Sequence, residues 1–583
     1  MHSVSKLLIG VIAISSAMFL ASCQGVSKGA VQAGQNVQLS VATAGSGTGT
    51  VSSNPGGITC GTTCSAMFET GKSITLTATP DAGFTFAGWS GACSGTSTCS
   101  LNLSADASVT ATFTASLQSI NHIIVMAQEN RSLDSYFGAL PQYLATNGLT
   151  QSFDGLPQFA NPAGATPSVP GCDPAFPYDP NANPPQLNNC TFDSASPQVQ
   201  SFHFQTMCVE NPSPSWNESH VDWNLMDPVN ATATLDGFVH TAANDARQIV
   251  PPFMDVNGLR AMGYYDNNDL NYYYFLAANF ATSDMWFSPA MTRTQPNRMY
   301  LLAATSHGHA YPLTPTSGQV NVPIIFQLLQ NAGITWKIYV HPDATGCTTA
   351  QCLYNMSYVN QFTYGQTMLQ QFPQNFVTTD QFITDAKNGT LPQFALIEPA
   401  SSVGLDEHPA DTDPMPGMPP CCSVQAGANF ASSLINAVIT GPSWKDSAFI
   451  FTFDEFGGFY DHVAPQPAVS PDGIPPQDLL PGDTCTSVTG PNCDFTYTGY
   501  RVPFILVSPY AKKNFVSHAV ADHTAILKLV ETRFGLPTLT ARDAAQIDMS
   551  TEFFDFTTAP WKTPPTNVPQ QNTTGACYLD HLP

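Results

Sequence analysis

The sequence predicts an α/β protein with a mostly parallel sheet covered by helices, preceded by a small all-β region. From residue 116 onward, short continuous apolar runs end in polar clusters, and such runs suit strands buried on both faces. Amphipathic segments between these runs predict the covering helices. Between residues 37 and 113, Thr and Val alternate with period two, as they do in half-buried strands.

Size and charge limit the classes of protein to consider. The chain has 583 residues and is 43% hydrophobic, which predicts a large core and more than one domain. Acidic residues outnumber basic ones 42 to 18, giving a net charge of -24. Because this charge repels phosphate backbones, we expect no nucleic-acid partner. The oligomeric state does not follow from the sequence.

The first 23 residues have the pattern of an export signal. The apolar segment from Leu7 to Leu20 is too short to span a bilayer. It ends in Leu-Ala-Ser-Cys, which resembles a bacterial lipobox and implies lipidation of Cys23. We therefore expect an exported protein anchored in the cell envelope, at the outer membrane, by one lipidated residue. The alternative is an ordinary cleaved signal with an incidental cysteine. Residues 24–35 are predicted to be a linker.

Residues 36–115 are predicted to form the small β-domain. The segments VQLSVAT, SITLTATP and ASVTATFT each alternate as strands do. Between them, Phe84, Phe86, Gly88 and Trp89 form a turn-like motif. This motif resembles that of the internalin-type bacterial surface β-repeat. The domain is expected to be a spacer, or alternatively a carbohydrate- or wall-binding module.

The cysteines favour disulfides in an oxidising compartment. Setting Cys23 aside leaves an even number, and no Cys-x-x-Cys pair suggests zinc. Full connectivity stays open. The candidate short-range pairs are Cys60/Cys64, Cys93/Cys99, Cys172/Cys190, Cys347/Cys352 and Cys485/Cys493.

Residues 116–583 are predicted to form the second domain. Its strand candidates are HIIVMAQEN, ITWKIYVHP, PQFALIEPA, AFIFTFDEFGG and VPFILVSPY. The clearest helix is DHTAILKLVETRFG, with Asp522 as N-cap and Gly535 as its end. In open α/β sheets, ligands bind beyond the carboxyl ends of the strands. The polar residues that close each run are therefore the candidates for chemistry.

Two pairs of hard oxygen donors close predicted strands. Glu129 and Asn130 end the first strand, and Asp454 and Glu455 end another. Together they could hold one divalent cation, and Ca, Mg, Mn, Zn and Fe all stay open. Each pair alone could equally be a solvated loop. The glycines after Glu455 favour a tight turn beside a ligand.

Thr294, in MTRTQPNRMYLLAAT, lies where a helix should begin, because Pro296 falls in its first turn. A helix N-terminus favours a phosphoryl oxygen. The segment has the shape of the sulfatase nucleophile motif, but threonine cannot become the formyl residue that sulfatases need, which favours phosphate over sulfate. The alternative is that Thr294 is only an N-cap.

Five ordered motifs between about residues 120 and 544 carry a wider resemblance. They are QENRSLDSYFG, TQPNR, LDEHPA, DEFGGFYDHV and RVPFILVSPY with the later DHTAILKLVETRFG. This set is similar to that of the phosphoesterase family of bacterial phospholipases C and acid phosphatases. The resemblance implies an alkaline-phosphatase-like α/β/α sandwich and hydrolysis of phosphate esters, including phospholipids.

The same resemblance implies a role for each site residue. The metal ligands would be Glu129, Asn130, Asp454 and Glu455. Thr294 would be the nucleophile, with His408 and His462 for acid/base work. Arg298, His220 and His523 would contact substrate.

Two departures from the family pattern bear on the substrate class. Pro214 stands where a His often precedes Ser-Trp, and Phe456 stands where a polar residue is frequent. We expect metal-assisted phospholipase C chemistry. The alternatives are a broad acid phosphatase, a sulfatase, and a non-catalytic surface binding protein.

Overall fold

The computed structural model describes residues 34–582 except 162, 183–187, 315–316, 412–421, 487–489 and 491. The predicted export signal, Cys23 and most of the 24–35 linker lie outside the described residues. Within the described residues, no helix combines the length and apolar character needed to span a bilayer.

The N-terminal region consists of two four-stranded sheets packed around their own core. The sheet orders are β4-β1-β8-β6 and β3-β2-β5-β7. The three alternating segments form β1, β5 and β8, as predicted. The predicted turn around Gly88 is instead part of a strand, whose register shifts between Phe86 and Gly88. The strands are β1 Asn36–Ala44, β2 Gly49–Asn54, β3 Thr59–Cys60, β4 Ser65–Glu69, β5 Ser73–Pro80, β6 Phe84–Gly91, β7 Cys99–Asn102 and β8 Ala107–Ala115.

An eight-stranded, mostly parallel sheet organises the rest of the chain. Its order is β17-β16-β18-β9-β19-β20-β14-β21, and the predicted α/β class is confirmed. Its strands are β9 His122–Gln128, β14 Ala281–Ser283, β16 Trp336–Val340, β17 Phe376–Thr378, β18 Phe394–Ile397, β19 Ser447–Phe453, β20 Phe504–Val507 and β21 Phe515–Ser517. Outside this sheet lie β10 Ser168–Pro170, β11 Gln198–Gln200, β12 Phe202–His203, β13 Gly263–Tyr264, β15 Trp286–Phe287 and β22 Ala521–Asp522.

One strand of the large sheet runs against the others. β20 pairs antiparallel with both β19 and β14, whereas the other neighbouring pairs are parallel. A parallel return would need a crossover, usually a helix, over one face of the sheet. The described residues between β19 and β20 contain no helix, so the chain folds back instead.

Helices cover the sheet, and the central strands are buried on both faces. All seven residues of β19 are buried, which explains its unbroken apolar sequence. The helix predicted from DHTAILKLVETRFG begins at Thr524 and ends at Phe534, with Gly535 as its C-cap at a φ of 66°. His523, not Asp522, is its N-cap, but the Asp522 carboxylate accepts the Thr524 N–H at 2.8 Å. The helices are α1 Leu133–Phe137, α2 Leu140–Thr146, α3 Pro157–Ala160, α4 Trp216–Trp223, α5 Phe238–Gln248, α6 Asn271–Asn279, α7 Thr294–Ala303, α8 Ile325–Asn331, α9 Ala350–Asn355, α10 Thr363–Gln371, α11 Thr379–Asn388, α12 Val424–Ile439, α13 Thr524–Phe534, α14 Ala541–Ala545 and α15 Met549–Glu552.

The chain joins the β-region to the large sheet at the amino ends of the central strands. Asn121, just before β9, donates to Asp446, just before β19, at 2.8 Å. Arg533 donates to Gln118 in the connecting segment at 2.9 Å. The carboxyl ends of β9 and β19 therefore point away from this junction.

Disulfides cross-link segments of both regions. The five predicted short-range pairs form. Cys208 also pairs with Cys577 across 369 residues of sequence. Spacing alone gives no indication of that long-range bond, because loop closure over such a distance depends on the fold.

Candidate active site

The two predicted donor pairs lie side by side at the carboxyl ends of neighbouring parallel strands. Glu129 and Asn130 follow β9, and Asp454 and Glu455 follow β19. The Asn130 N–H donates to Asp454 Oδ1 at 3.0 Å. Gly457 has a φ of 72°, and a Cβ there would lie 2.3 Å from the Asn130 carbonyl oxygen. Glycine is therefore required where the two strand ends pack together.

Helix α7 brings Thr294 to these strand ends. Its N-cap is Arg293, so Thr294 is the first helical residue and not the cap. The Asn297 side chain fixes the preceding loop by accepting from Ala290 N–H and donating to the Thr292 carbonyl. The Thr294 hydroxyl donates to Glu129 Oε2 at 3.1 Å and lies 3.3 Å from Asn130 Oδ1.

Arg298 lies beneath this cluster. Its side chain is 2% exposed, so the structure does not support the predicted contact with substrate. Its Nη2 donates to Glu129 Oε1 at 2.8 Å, and its Nε lies 3.5 Å from Asp454 Oδ2. The guanidinium is therefore a buried counter-ion that supports the two carboxylates.

Burial and charge separate the pKa values of these carboxyls. Burial alone raises the pKa of Glu129, but the charge of Arg298 and hydrogen bonds outweigh burial and lower it overall. The pKa of Asp454 is raised well above its usual value, first by burial and then by the charge of Glu129. Burial also raises the pKa of Glu455. Without a further cation, the protein environment therefore favours ionisation of Glu129 and disfavours ionisation of Asp454 and Glu455.

The donors fit a divalent cation. Asp454 Oδ2 and Glu455 Oε1 are buried and lack a hydrogen-bond partner, which is costly for polar atoms. When ionised, Glu129, Asp454 and Glu455 carry three negative charges against the single positive charge of Arg298. A divalent cation would offset the remainder. The donors are hard oxygens of the kind that such ions prefer.

Among the described residues, the groups of three His, Asp or Glu side chains whose ligand atoms lie within 4.8 Å of one another are Asp134/Asp461/His462 and His203/Asp266/Asp269. In the first group, the Arg501 guanidinium already contacts Asp461 at 2.8 Å and Asp134 at 3.2 Å. The second group is partly exposed and held by a direct His203–Asp269 contact of 2.7 Å. Neither group contains a predicted metal ligand.

An open cleft of about 370 Å³ lies over the Thr294 cluster, with Glu129, Thr294 and His408 among its lining residues. His408 Nε2 lies 3.1 Å from Asn130 Nδ2, and its Nδ1 lies 2.6 Å from the Pro409 carbonyl. Of the predicted acid/base residues, His408 is therefore the one that the structure brings to Thr294.

The other three predicted histidines lie elsewhere. His462 contacts Asp134 at 2.6 Å, in a separate cluster. His220 is fully buried between two backbone carbonyls. His523 is also fully buried, and its Nε2 donates to the Asp454 carbonyl at 3.0 Å. Full burial prevents His220 and His523 from contacting substrate in this arrangement. His523 instead holds the backbone of Asp454, a predicted metal ligand.

Sequence reasoning missed Tyr358 and Arg293. The Tyr358 hydroxyl donates to Glu129 Oε1 at 3.0 Å, and its ring lies 5.0 Å from the Arg298 guanidinium carbon. Both residues line the cleft. Tyr358 lies in no recognised motif, whereas the position of Arg293 beside Thr294 could have drawn attention to it.

Comparison with known proteins gives matches to both regions. The Phosphoesterase family matches residues 120–537, and the Divergent InlB B-repeat domain matches residues 37–117. Phospholipase C B of Mycobacterium tuberculosis is 29% identical over 467 residues, covering 75% of this chain and 78% of that protein. Non-specific phospholipase C5 of Arabidopsis thaliana is 28% identical over 448 residues, covering 73% and 72%.

Proposed function

The chain belongs to the phosphoesterase family, and we propose that it is a phospholipase C that cleaves phospholipid phosphodiesters with Thr294 as the nucleophile. The names of its relatives from two kingdoms support this substrate class. The observation that carries the proposal is the Thr294 hydroxyl, which is hydrogen-bonded to Glu129 at the floor of an open cleft. We also propose the division into a 36–115 β-domain, acting as a spacer, and a 116–583 catalytic domain.

The donor set would hold one divalent cation through Glu129, Asn130, Asp454, Glu455 and the Thr294 oxygen. When bound, such an ion would lower the pKa of the Thr294 hydroxyl and offset charge on the phosphoryl oxygens. The ion's identity stays open among Ca, Mg, Mn, Zn and Fe.

In the first step, the Thr294 oxygen attacks phosphorus in line with the leaving diacylglycerol oxygen. The Thr294 proton passes to Glu129 Oε2, which already accepts its hydrogen bond. The P–O bond to diacylglycerol breaks, and protonated His408 gives a proton to the leaving oxygen. The product is a phosphothreonine that carries the head group.

In the second step, water attacks the phosphothreonine. Neutral His408 accepts a proton from this water, and Glu129 returns its proton to the Thr294 oxygen as the P–O bond to Thr294 breaks. The phosphorylated head group leaves, and both side chains recover their starting protonation states.

Location in the cell is part of the proposal. The disulfides of the described residues are typical of a protein exported to an oxidising compartment. We propose that lipidation at Cys23 then anchors the chain in the envelope. Replacing Cys23 with Ala should release the protein from the membrane fraction, and retention of the variant there would contradict the anchor.

A substrate panel on the purified full chain tests the activity. We expect phosphatidylcholine and p-nitrophenylphosphorylcholine to be cleaved faster than p-nitrophenyl phosphate, with diacylglycerol as the lipid product. A chelator should abolish turnover, and a divalent cation should restore it. Cleavage of the monoester alone would indicate a phosphatase. No cleavage with any cation would favour a binding protein.

A further inference from the structure

Arg293 differs from the other arginines of the chain. Each of the other seven donates hydrogen bonds to protein groups: Arg131, Arg247, Arg260, Arg298, Arg501, Arg533 and Arg542. Arg293 makes no such hydrogen bond or ion pair with the described residues, and its side chain is exposed. In a chain with only 18 basic residues and a net charge of -24, an uncommitted guanidinium is unusual.

The position of Arg293 places it at the reaction centre. It is the N-cap of α7, directly before Thr294, and both residues line the same cleft. Glu455 and Glu218 lie close enough to feel its charge, but neither fixes its side chain. The Arg293 side chain therefore lines the same cleft as Thr294 and is free to contact a ligand.

The other charged residues of the cleft indicate that Arg293 is available to an anionic ligand. Its other charged lining residues include Glu129, Asp406 and Asp411, which repel an anionic substrate. Arg298 cannot compensate from the cleft side, because it is buried and already paired with carboxylates. A phosphoryl group that enters the cleft would therefore be favoured by a positive partner in addition to the cation proposed for the donor set.

We propose that Arg293 binds the non-bridging phosphoryl oxygens of the substrate while Thr294 attacks. This inference rests on the proposed function and assigns its phosphate-recognition residue. A guanidinium presents a planar fork of donors that matches two oxygens of one phosphoryl group, which an ammonium cannot do. The recognised chemistry is the anionic phosphoryl group, so free inorganic phosphate should occupy the same place.

Two full-length variants test this role, Arg293→Gln and Arg293→Lys. Steady-state hydrolysis of p-nitrophenylphosphorylcholine gives kcat and KM, and inorganic phosphate as competitor gives its inhibition constant. We expect Arg293→Gln to weaken phosphate inhibition about tenfold and to lower kcat/KM by about 10–100-fold, since charge-assisted hydrogen bonds are lost. Arg293→Lys should be intermediate, because it keeps the charge without the fork.

The control is Lys72→Gln, which removes the same charge from an exposed position in the β-domain and should change neither constant. The role is overturned if Arg293→Gln leaves both constants within twofold of wild type. It is also overturned if the variant loses bound metal but keeps normal phosphate inhibition per metal-loaded molecule, since Arg293 would then be a counter-ion of Glu455.

The phosphate role can also be tested apart from turnover. Calorimetric titration of Thr294→Ala with inorganic phosphate measures binding without chemistry. Arg293→Gln added to that background should weaken binding about tenfold, and equal affinity would overturn the inference. If wild type fails to cleave any phosphodiester, the proposed function fails, while this titration still reports on Arg293.

Discussion

Two clusters of buried charge are built from the same two segments of sequence. QENRSLD supplies Glu129 and Asn130 to the cluster around Thr294 and Asp134 to the cluster around His462. DEFGGFYDH supplies Asp454 to the first cluster, and Asp461 and His462 to the second. Each cluster contains one buried arginine, Arg298 in the first and Arg501 in the second.

The two arginines differ in how fully they are hydrogen-bonded. Every side-chain nitrogen of Arg501 has a partner, including Asp461, Asp134 and the carbonyls of Asp154 and Asp284. Arg298 leaves its Nε and Nη1 without a hydrogen-bond partner. The Thr294 cluster also opens to the cleft. In the Arg501 cluster, Asp461 Oδ2 also lacks a hydrogen-bond partner, but the arginine itself is fully bonded. A fully bonded arginine is typical of a structural ion network, whereas an unsatisfied arginine beside a cleft indicates a functional site.

Replacing Thr294 tests the open cluster with the largest expected effect. We expect Thr294→Ala to lower kcat by about 10⁴-fold, because the attacking hydroxyl is removed. Thr294→Ser, the matched control, should keep activity within about tenfold. Both variants should unfold at the wild-type temperature. Substantial activity in Thr294→Ala would remove its assignment as nucleophile.

Replacing Arg501 should affect stability and not chemistry. Arg501→Gln leaves Asp134 and Asp461 buried without their counter-ion, so we expect a loss of about 3–5 kcal/mol in the free energy of unfolding. Denaturant titration measures this loss, and kcat of the folded fraction should stay near wild type. A large fall in kcat with unchanged stability would place the second cluster in the active site.

The second cluster should also make stability depend on pH. Burial opposes protonation of His462, but Asp134 and Asp154 outweigh it and raise the pKa to about 10 from 6.5. The resulting stabilisation is fully present below pH 6.5 and is lost as the pH rises toward 10. The slope should be at most about 1.4 kcal/mol per pH unit. Urea titrations at several pH values measure it, and His462→Gln should flatten the profile.

The smallest expected effect concerns Tyr358. Tyr358→Phe removes one hydrogen bond to Glu129 and keeps the ring over Arg298. A single such bond contributes about 1 kcal/mol, so kcat/KM should fall about fivefold with little change in stability. An unchanged kcat/KM would mean that Arg298 alone suffices to hold Glu129.

The local pattern of apolar and polar residues in the sequence was enough to predict the strands and the polar residues at their ends. The apolar runs that became β9 and β19 ended where expected, and Thr294 began a helix, because periodicity and proline position act over a few residues. The antiparallel direction of β20 was not predicted, since it depends on the connection and not on the strand itself.

Side-chain direction at the strand ends could not be predicted in the same way. Asp134 and His462 lie in the same motifs as Glu129 and Asp454, yet the backbone turns that follow each strand carry them to another cluster. Tyr358 reaches Glu129 from a distant 3₁₀-helix. Such contacts between distant segments depend on the whole fold and leave no local signal.

The Cys208–Cys577 bond has a consequence for a cleaved form of the molecule. Because it spans 369 residues, a protease that cut once at any exposed loop between the two cysteines would leave fragments still joined covalently. The two pieces would migrate as one chain until reduced. Nicking of the surface, a common hazard outside the cell, would therefore not by itself release either half of the protein.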